Sequence, residues 1–276
     1  MSIDNIKEYI DDFGIFGEPV EYKGVNLYPI TVQNAFGFEK AIELFCVEKN
    51  RYEDIEIIQM SYLFFMLMLM EINPELTNSF VWICENIMHI YYDENLRVQE
   101  FPKGALISRL DDKQETTIIL LNGYEVSFEV KGRKATIFFG DKRFTATDFD
   151  ELKRIILYQN INEYDDTPMS DDVRRVVEKY RALKNKGIKP PTLEDKMLAV
   201  LVGSNETRET IKSMPYRQFV RLFDLIVGKT EYETTKPLIP YMDKKEIEHW
   251  IYRPDKNKFD GIFSDAESVG KAKVVS

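Results

Sequence analysis

The sequence predicts an α+β protein that is mainly helical, with a small antiparallel β-meander inserted and a helical domain towards its C-terminal end. Two observations carry this prediction. Apolar residues recur every three or four positions through most of the chain, which indicates helices that bury one face. Between about residues 97 and 147 the pattern changes to alternation around Asn122-Gly123, a pair that is typical of tight hairpins.

The N-terminal part of the chain is predicted to contain short helices and one hairpin. The segment Val20–Ile30 alternates around Lys23-Gly24, as expected for two short strands joined by a turn. Thr31 is a residue type that caps helices, and a helix is predicted after it. Three apolar side chains form the stripe of that helix: Phe38, Ile42 and Phe45.

A methionine-rich stretch between Asp54 and Ile72 is predicted to form one helix. Its apolar residues at helical spacing are Ile55, Ile58, Tyr62, Phe65, Met66 and Leu69. A helix that is apolar on all sides is buried or covered by a partner, and methionine suits grooves that accept different partner helices. For Tyr62, Phe65, Met66 and Leu69 two interpretations therefore stay open: a core helix, or a helix with one side in the core and the other in a partner groove.

Proline and hairpin signals set the elements that follow. Asn73-Pro74 ends the methionine-rich helix and begins another, because proline is accepted only in the first turn of a helix. The β-meander is then predicted from alternating segments separated by Gly-containing turns. These segments are Thr116–Leu121, Tyr124–Val130, Ala135–Phe139 and Arg143–Ala146, with Ala105–Leu110 as a further candidate. A helix is expected from Asp148, with Phe149, Leu152, Ile155 and Ile156 on its buried face.

The polar, acidic segment Asn160–Met169 predicts a domain boundary. We expect residues 1–162 to form a helical domain that carries the meander, residues 170–228 a small helical domain, and residues 229–276 an irregular tail anchored to a partner by Trp250. Four helices are predicted in the small domain. The first begins near Asp171 and has Val176 on its apolar stripe, and the second begins at Leu193 after a Thr192 cap. The third begins at Glu206. The fourth begins at Pro215 and directs four apolar residues inward: Phe219, Leu222, Phe223 and Ile226.

Composition excludes several classes of partner and location. The formal net charge is −10 and the isoelectric point is near 5.0, whereas binding to nucleic-acid phosphates needs a basic face. The chain has only two cysteines, which favours a reducing compartment. Its N-terminus lacks a basic and apolar signal segment, and no apolar run reaches the roughly 20 residues that span a bilayer. No nucleic-acid or membrane partner is predicted.

The sequence offers no set of residues for catalysis, cofactor binding or metal binding. Phosphate-binding glycine loops are absent, and the only histidines are His89 and His249. A zinc site needs three or four converging ligands, and no such spacing occurs. Cys84 and His89 lie five positions apart and so fall on different helix faces. We therefore expect a protein that is not an enzyme.

Six segments resemble the tail-assembly chaperones of phages that infect Gram-positive bacteria, which are encoded beside the tail tape-measure protein. The resemblance lies in Tyr22–Ile30, Met60–Leu63, Phe149–Asn160, Lys186–Lys196 together with Met214–Leu222, and His249-Trp250-Ile251. The segments are spread along the chain from residue 22 to residue 251, although the meander is longer than the family pattern.

The resemblance implies a role without catalysis in the host bacterial cytoplasm. Such a chaperone binds the tape-measure protein, keeps it soluble and hands it to polymerising tail-tube protein. In that family the N-terminal region contacts the tape measure and the C-terminal region recruits tube protein, and we expect self-association. Two alternatives stay open: a structural tail or baseplate component of the virion, and a phage regulatory protein that binds a host factor.

Overall fold

The protein is α+β and mainly helical, as predicted. Its computed structural model describes residues 3–52, 54–93, 95, 117–120, 123–131, 134–162, 164, 175–176, 179, 189–241 and 249–250. The chain divides into two compact units, the first made of residues 1–164 and 208–219 and the second of residues 165–207 and 220–276. The predicted small domain of residues 170–228 therefore differs from the structure, because residues 208–219 pack in the first unit.

The first unit begins with helix α1 (Ile3–Phe13) and the predicted hairpin. Strand β1 (Val20–Tyr22) pairs antiparallel with β2 (Val25–Leu27). Lys23 and Gly24 form the turn with φ angles of 49° and 76°, which is the left-handed backbone that such tight turns require. Both strands alternate between a buried and an exposed side, so the hairpin prediction is confirmed.

The helix expected after Thr31 begins differently from the prediction. A 3-10 turn at Val32–Asn34 comes first, followed by α2 (Ala35–Ala41) and α3 (Glu43–Cys46). Thr31 makes no side-chain capping bond, so that prediction was wrong; instead its backbone carbonyl accepts a hydrogen bond from the Asn34 N–H at 2.9 Å. The predicted apolar stripe is confirmed, because all three of its members are buried: Phe38, Ile42 and Phe45.

The methionine-rich segment forms two helices rather than one. Helix α4 (Ile55–Gln59) ends at Met60, whose backbone is extended, and α5 (Tyr62–Ile72) begins after it. The Ser61 hydroxyl caps α5 by accepting a hydrogen bond from the Phe64 N–H at 3.3 Å. The apolar spacing continues through this break, and for that reason periodicity alone predicted a single helix.

The next boundary follows the prediction. Helix α6 (Pro74–Ile87) has proline in its first turn, and the Asn73 side chain accepts a hydrogen bond from the Glu75 N–H at 3.1 Å. The buried residues of α6 are Phe80, Ile83, Cys84 and Ile87.

The predicted meander is present as four antiparallel strands in sequential order: β3 (Thr117–Leu120), β4 (Val126–Lys131), β5 (Lys134–Phe139) and β6 (Lys142–Phe144). The candidate segment Ala105–Leu110 lies outside the described residues. Strand β6 pairs only with residues 137–139 of β5, because the chain turns into helix α7 (Ala146–Asn160) directly afterwards. Thr145 and Asp148 form a capping box there.

The core of the first unit lies where α5 contacts α6, α7 and β5. The buried face of α7 is the one predicted from the sequence: Phe149, Leu152, Ile155 and Ile156. Gln159 and Asn160 are buried as well, so the polar segment expected to begin the boundary at Asn160 starts inside the core.

Two further helices carry the chain through residues 189–219. Helix α8 (Leu193–Gly203) begins at a capping box formed by Thr192 and Asp195, which confirms the predicted cap. Helix α9 (Arg208–Ser213) belongs to the first unit. Val176, predicted on an apolar stripe, is exposed, and most of the helix expected around it lies outside the described residues.

The segment expected to be irregular from residue 229 is helical over its first part. Helix α10 (Tyr216–Thr235) continues seven residues past Gly228, and a 3-10 helix at Lys236–Tyr241 follows. Within α10, Thr230 and Thr234 donate hydroxyl hydrogen bonds to carbonyls four residues earlier, and Lys229 pairs with Glu233 at 3.9 Å. Among the described residues, none of the helices combines the length and the apolarity needed to cross a membrane.

Candidate partner-binding site

Most of the predicted partner-binding residues on helix α5 lie in the core. Tyr62, Phe65 and Met66 retain 7%, 2% and 0% of their exposure, and Leu69 is partly exposed. The Tyr62 hydroxyl donates a hydrogen bond to the Leu44 carbonyl at 2.7 Å. The structure thus supports the interpretation of α5 as a core helix, and contact between these three buried side chains and a partner stays a prediction.

A group of ionisable side chains lies against the α5 end that carries Tyr62. The Lys153 Nζ stands 3.4 Å from the centre of the Tyr62 ring, a distance at which the ring face attracts a cation. Burial lowers the pKa of Lys153 to about 8 and raises the pKa of Asp150. Burial also raises the pKa of the Cys46 thiol, although nearby Lys153 opposes that effect. The group therefore holds a lysine that releases its proton near pH 8.

The short helix before α5 has exposed apolar surface next to the buried first turns of α5. Ile55 and Ile58 lie three positions apart on α4 and are 68% and 40% exposed, and Tyr52 in the preceding 3-10 turn is 45% exposed. We call Tyr52, Ile55 and Ile58 the α4 face. The Tyr52 ring packs edge-on against Phe65 at 5.4 Å, which anchors this face to the core.

The geometry of the α4 face depends on Lys49. Its Nζ donates hydrogen bonds to the carbonyls of Ile58 and Met60, at 3.1 and 2.5 Å, and so satisfies acceptors at the end of α4. The sequence prediction placed Ile55 and Ile58 on one continuous helix with Tyr62, at helical spacing. Ser61 was the signal that could have located the break, because serine is a favoured cap residue.

A second exposed apolar group lies at the N-terminus. Phe13 and Phe16 are 47% and 70% exposed, and the Phe13 ring stacks on Tyr9 at 5.1 Å. Single exposed apolar residues are ordinary on protein surfaces, whereas neighbouring ones indicate contact sites. Sequence reasoning did not single out these aromatic residues.

Trp250, the predicted anchor of the tail, packs within the second unit. Its ring stacks on His249 at 5.6 Å, and the His249 ring lies 4.9 Å from Tyr232 of α10. A Cβ at Gly228 would stand 3.9 Å from the Trp250 Cβ. Trp250 is partly exposed, so one side contacts α10 while another is accessible.

His89 and Cys84 both pack against neighbours within the first unit. His89 stacks on Tyr28 with ring centres 3.8 Å apart. Cys84 is buried, and burial raises the pKa of its thiol. The described part of the chain contains no group of three or more Cys, His, Asp or Glu residues that could hold a metal ion.

Comparisons with known proteins find no match for this chain among protein families, curated proteins or solved structures.

Proposed function

We propose that this protein is a phage tail-assembly chaperone that binds the tail tape-measure protein, keeps it soluble and hands it to polymerising tail-tube protein in the host bacterial cytoplasm. The resemblance of six segments to that family supports the proposal. The single structural observation that supports it most directly is the α4 face, whose two isoleucines stand exposed side by side on one helix.

The α4 face has the chemistry of a contact for an amphipathic helix. Ile55 and Ile58 are three positions apart, so they project from the same side of α4. Covering an isoleucine side chain completely stabilises a contact by about 1.5–3 kcal/mol. Two such residues give a weak contact, which suits a client that must later be released. Many copies bound along one long tape-measure helix supply avidity from weak contacts.

Helix α5 has a supporting role in this proposal. Its side chains fill the core, and Tyr52 connects that core to the α4 face through Phe65. The face is thereby held on a packed scaffold, which reduces the entropy lost on binding. Met66, Tyr62 and Phe65 then act through the position of α4 and not by direct contact.

We assign the recruitment of tail-tube protein to the chain after the Asn160–Met169 boundary, with the accessible side of Trp250 as a contact. Tryptophan is enriched among the residues that dominate the energy of protein interfaces. The net charge of −10 disfavours nonspecific contact with nucleic acid in the cell. Self-association along the client is also part of the proposal.

Co-expression with the neighbouring tape-measure protein tests this function. We expect the wild-type chain to keep the tape measure soluble and to co-purify with it, yet to be absent from finished particles. The double variant Ile55→Ser/Ile58→Ser should lose most of the soluble tape measure. Both residues are exposed, so the fold should survive, which circular dichroism and thermal unfolding would verify.

Ile72→Ser is the matched control, because Ile72 is 63% exposed at the far end of α5. Ten residues of helix separate it from the start of α5, about 15 Å along the axis. It should retain full chaperone activity. A tape measure that aggregates with wild-type protein present would refute the chaperone role, and recovery of the chain in purified virions would favour a structural tail component. If Ile72→Ser lost as much soluble tape measure as the double variant, the assignment of the α4 face as the client contact would be refuted.

A further inference from the structure

A recess opens beside the meander where strand β6 stops short. Ile137 and Phe144 are the last residues that pair between β5 and β6 on that side. If β6 continued in the same register, Thr145 would stand opposite Thr136. The chain instead turns into α7 at Thr145, so residues 134–136 of β5 pair with β4 on one edge but have no strand beside them on the β6 edge. The space left has a volume of about 660 Å³. On its other side it is lined by four residues at the junction of α4 and α5: Glu56, Gln59, Met60 and Ser61.

The wall of this recess carries two cationic side chains in an acidic protein. Lys134 and Arg143 both line it, and neither forms an ion pair with a residue in the described part of the chain. Among the described residues that line the recess there is one carboxylate, that of Glu56. The described part of the lining therefore has a net positive charge, whereas the whole chain carries −10.

Hydrogen-bond donors lie beside these cations. Thr136 and Thr147 contribute hydroxyls to the lining. The Thr145 hydroxyl is already used, because it donates to the Asp148 carboxylate at 2.8 Å. Asp148 is the first acidic residue of α7, and its charge is paired with Lys23 on the hairpin. Ser61, which caps α5, and Thr147, in the first turn of α7, also line the recess, and the N-terminal ends of these helices add positive potential.

We propose that this recess binds an oxyanion, a phosphate or carboxylate group, held by the Arg143 guanidinium and the Lys134 ammonium with Thr147 as a hydroxyl donor. Guanidinium groups bind both kinds of oxyanion through two parallel hydrogen bonds. The volume lies within the roughly 300–1,000 Å³ of small-molecule sites, so the anion can be part of a larger ligand. The recess is separate from the exposed isoleucines and does not depend on the chaperone role.

Titration of the full-length protein with inorganic phosphate, and separately with acetate, tests the proposal. Backbone amide resonances would be followed by nuclear magnetic resonance, with sodium chloride at equal ionic strength as the reference. We expect saturable shifts confined to Ser61, Thr136, Ala146 and Thr147 with at least one of the two anions. The anion that saturates identifies the group: phosphate alone, carboxylate alone, or both.

Arg143→Gln should weaken binding of the saturating anion by roughly 10- to 100-fold, since a hydrogen bond to a charged group contributes about 1.5–3 kcal/mol. Lys134→Gln should weaken binding of this anion as well. Lys142→Gln is the control, because Lys142 precedes Arg143 on β6 but does not line the recess. This variant should bind the anion with the affinity of the wild-type protein. Shifts that sodium chloride reproduces, or that survive in Arg143→Gln, would overturn the proposal.

Discussion

The side-chain oxygen of Asn160 accepts a hydrogen bond from the backbone N–H of Ile30 at 2.8 Å, and so joins the end of α7 to the segment after the N-terminal hairpin. The same side chain donates to the Ile156 carbonyl at 2.9 Å. Asn160 is only 1% exposed. Next to it, Gln159 donates to the Leu27 carbonyl at 3.0 Å. Two buried amides therefore join the end of α7 to the hairpin and to the segment that follows it.

Asn160→Ala is expected to destabilise the first unit substantially. The substitution leaves the buried Ile30 N–H without its partner, and an unsatisfied buried group costs about 1–3 kcal/mol. Urea unfolding measured by circular dichroism would show this as a lower midpoint. Asn26→Ala is the control, because Asn26 is exposed on β2, and it should change the free energy of unfolding by less than about 0.5 kcal/mol. Equal stability of the two variants would contradict the role given to Asn160.

Gly37→Ala is expected to disturb the packing of α2 on α6. A Cβ at Gly37 would stand 2.6 Å from Nε1 of the Trp82 indole, so the ring must move at a cost of about 1–3 kcal/mol. In a Trp250→Phe background the fluorescence reports Trp82 alone, because the chain has two tryptophans. We expect a shifted emission maximum together with a lower unfolding midpoint.

Gly14→Ala provides the matched glycine control for this prediction. Its Cβ would meet Ile10 at an ordinary 3.5 Å, so the change should be neutral or stabilise the protein by up to about 1 kcal/mol. An unchanged Trp82 emission in Gly37→Ala would show that the indole does not approach α2 as closely as in this structure.

The elements that could be predicted from the sequence are those whose signals act within a few residues. The Lys23-Gly24 turn, the Asn73-Pro74 boundary and the Thr192 cap each depend on backbone chemistry confined to one turn. These three are confirmed by the structure. The alternation of the meander is equally local, since it follows from the two-residue period of a strand.

The features that the sequence did not predict depend on distant residues. The Tyr216 hydroxyl donates to the Glu39 carboxylate at 2.9 Å, and Thr31 forms an isolated bridge with Pro215. These contacts join residues far apart in the chain and hold residues 208–219 in the first unit. No local sequence pattern predicts such contacts. The break at Met60-Ser61 likewise relies on Lys49, which bonds the Ile58 and Met60 carbonyls.

The candidate site was predicted only in part for the same reason. Composition showed that the methionine-rich segment must be covered, but which neighbours cover it is a property of the tertiary structure. The α5 side chains are covered by α6, α7 and β5. The exposed isoleucines belong to α4, which the unpredicted break separates from that stripe.

The stability of the protein should depend on pH through Lys153. Burial lowers the pKa of this lysine from an ordinary 10.5 to about 8. Between those two pH values the unfolded chain binds more protons than the folded protein, so the free energy of unfolding rises with pH. The burial penalty is present in full below pH 8 and is relieved as pH approaches 10.5.

Urea unfolding at several pH values, compared between wild type and Lys153→Met, isolates this contribution. The difference in unfolding free energy, wild type minus variant, should rise by on the order of 2 kcal/mol across that window. Both proteins would carry Cys46→Ser, because Lys153 also affects the Cys46 thiol. The control is Lys40→Met, because Lys40 is an exposed lysine over the Phe36 ring. The pH dependence of unfolding in this variant should follow that of the wild type. A pH-independent difference for Lys153→Met would refute the prediction.

Aspartate substitutions at Met66 and Ile55 should separate the core of the first unit from its binding surface. Met66 has no exposed surface, so Met66→Asp buries a charge and is expected to lower the free energy of unfolding by more than about 4 kcal/mol. Ile55 is the first residue of α4 and is 68% exposed, and a carboxylate there is favoured by the helix dipole. Ile55→Asp should therefore unfold like wild type yet fail to keep the tape-measure protein soluble. A folded Met66→Asp variant that loses only client binding would instead place the contact on α5.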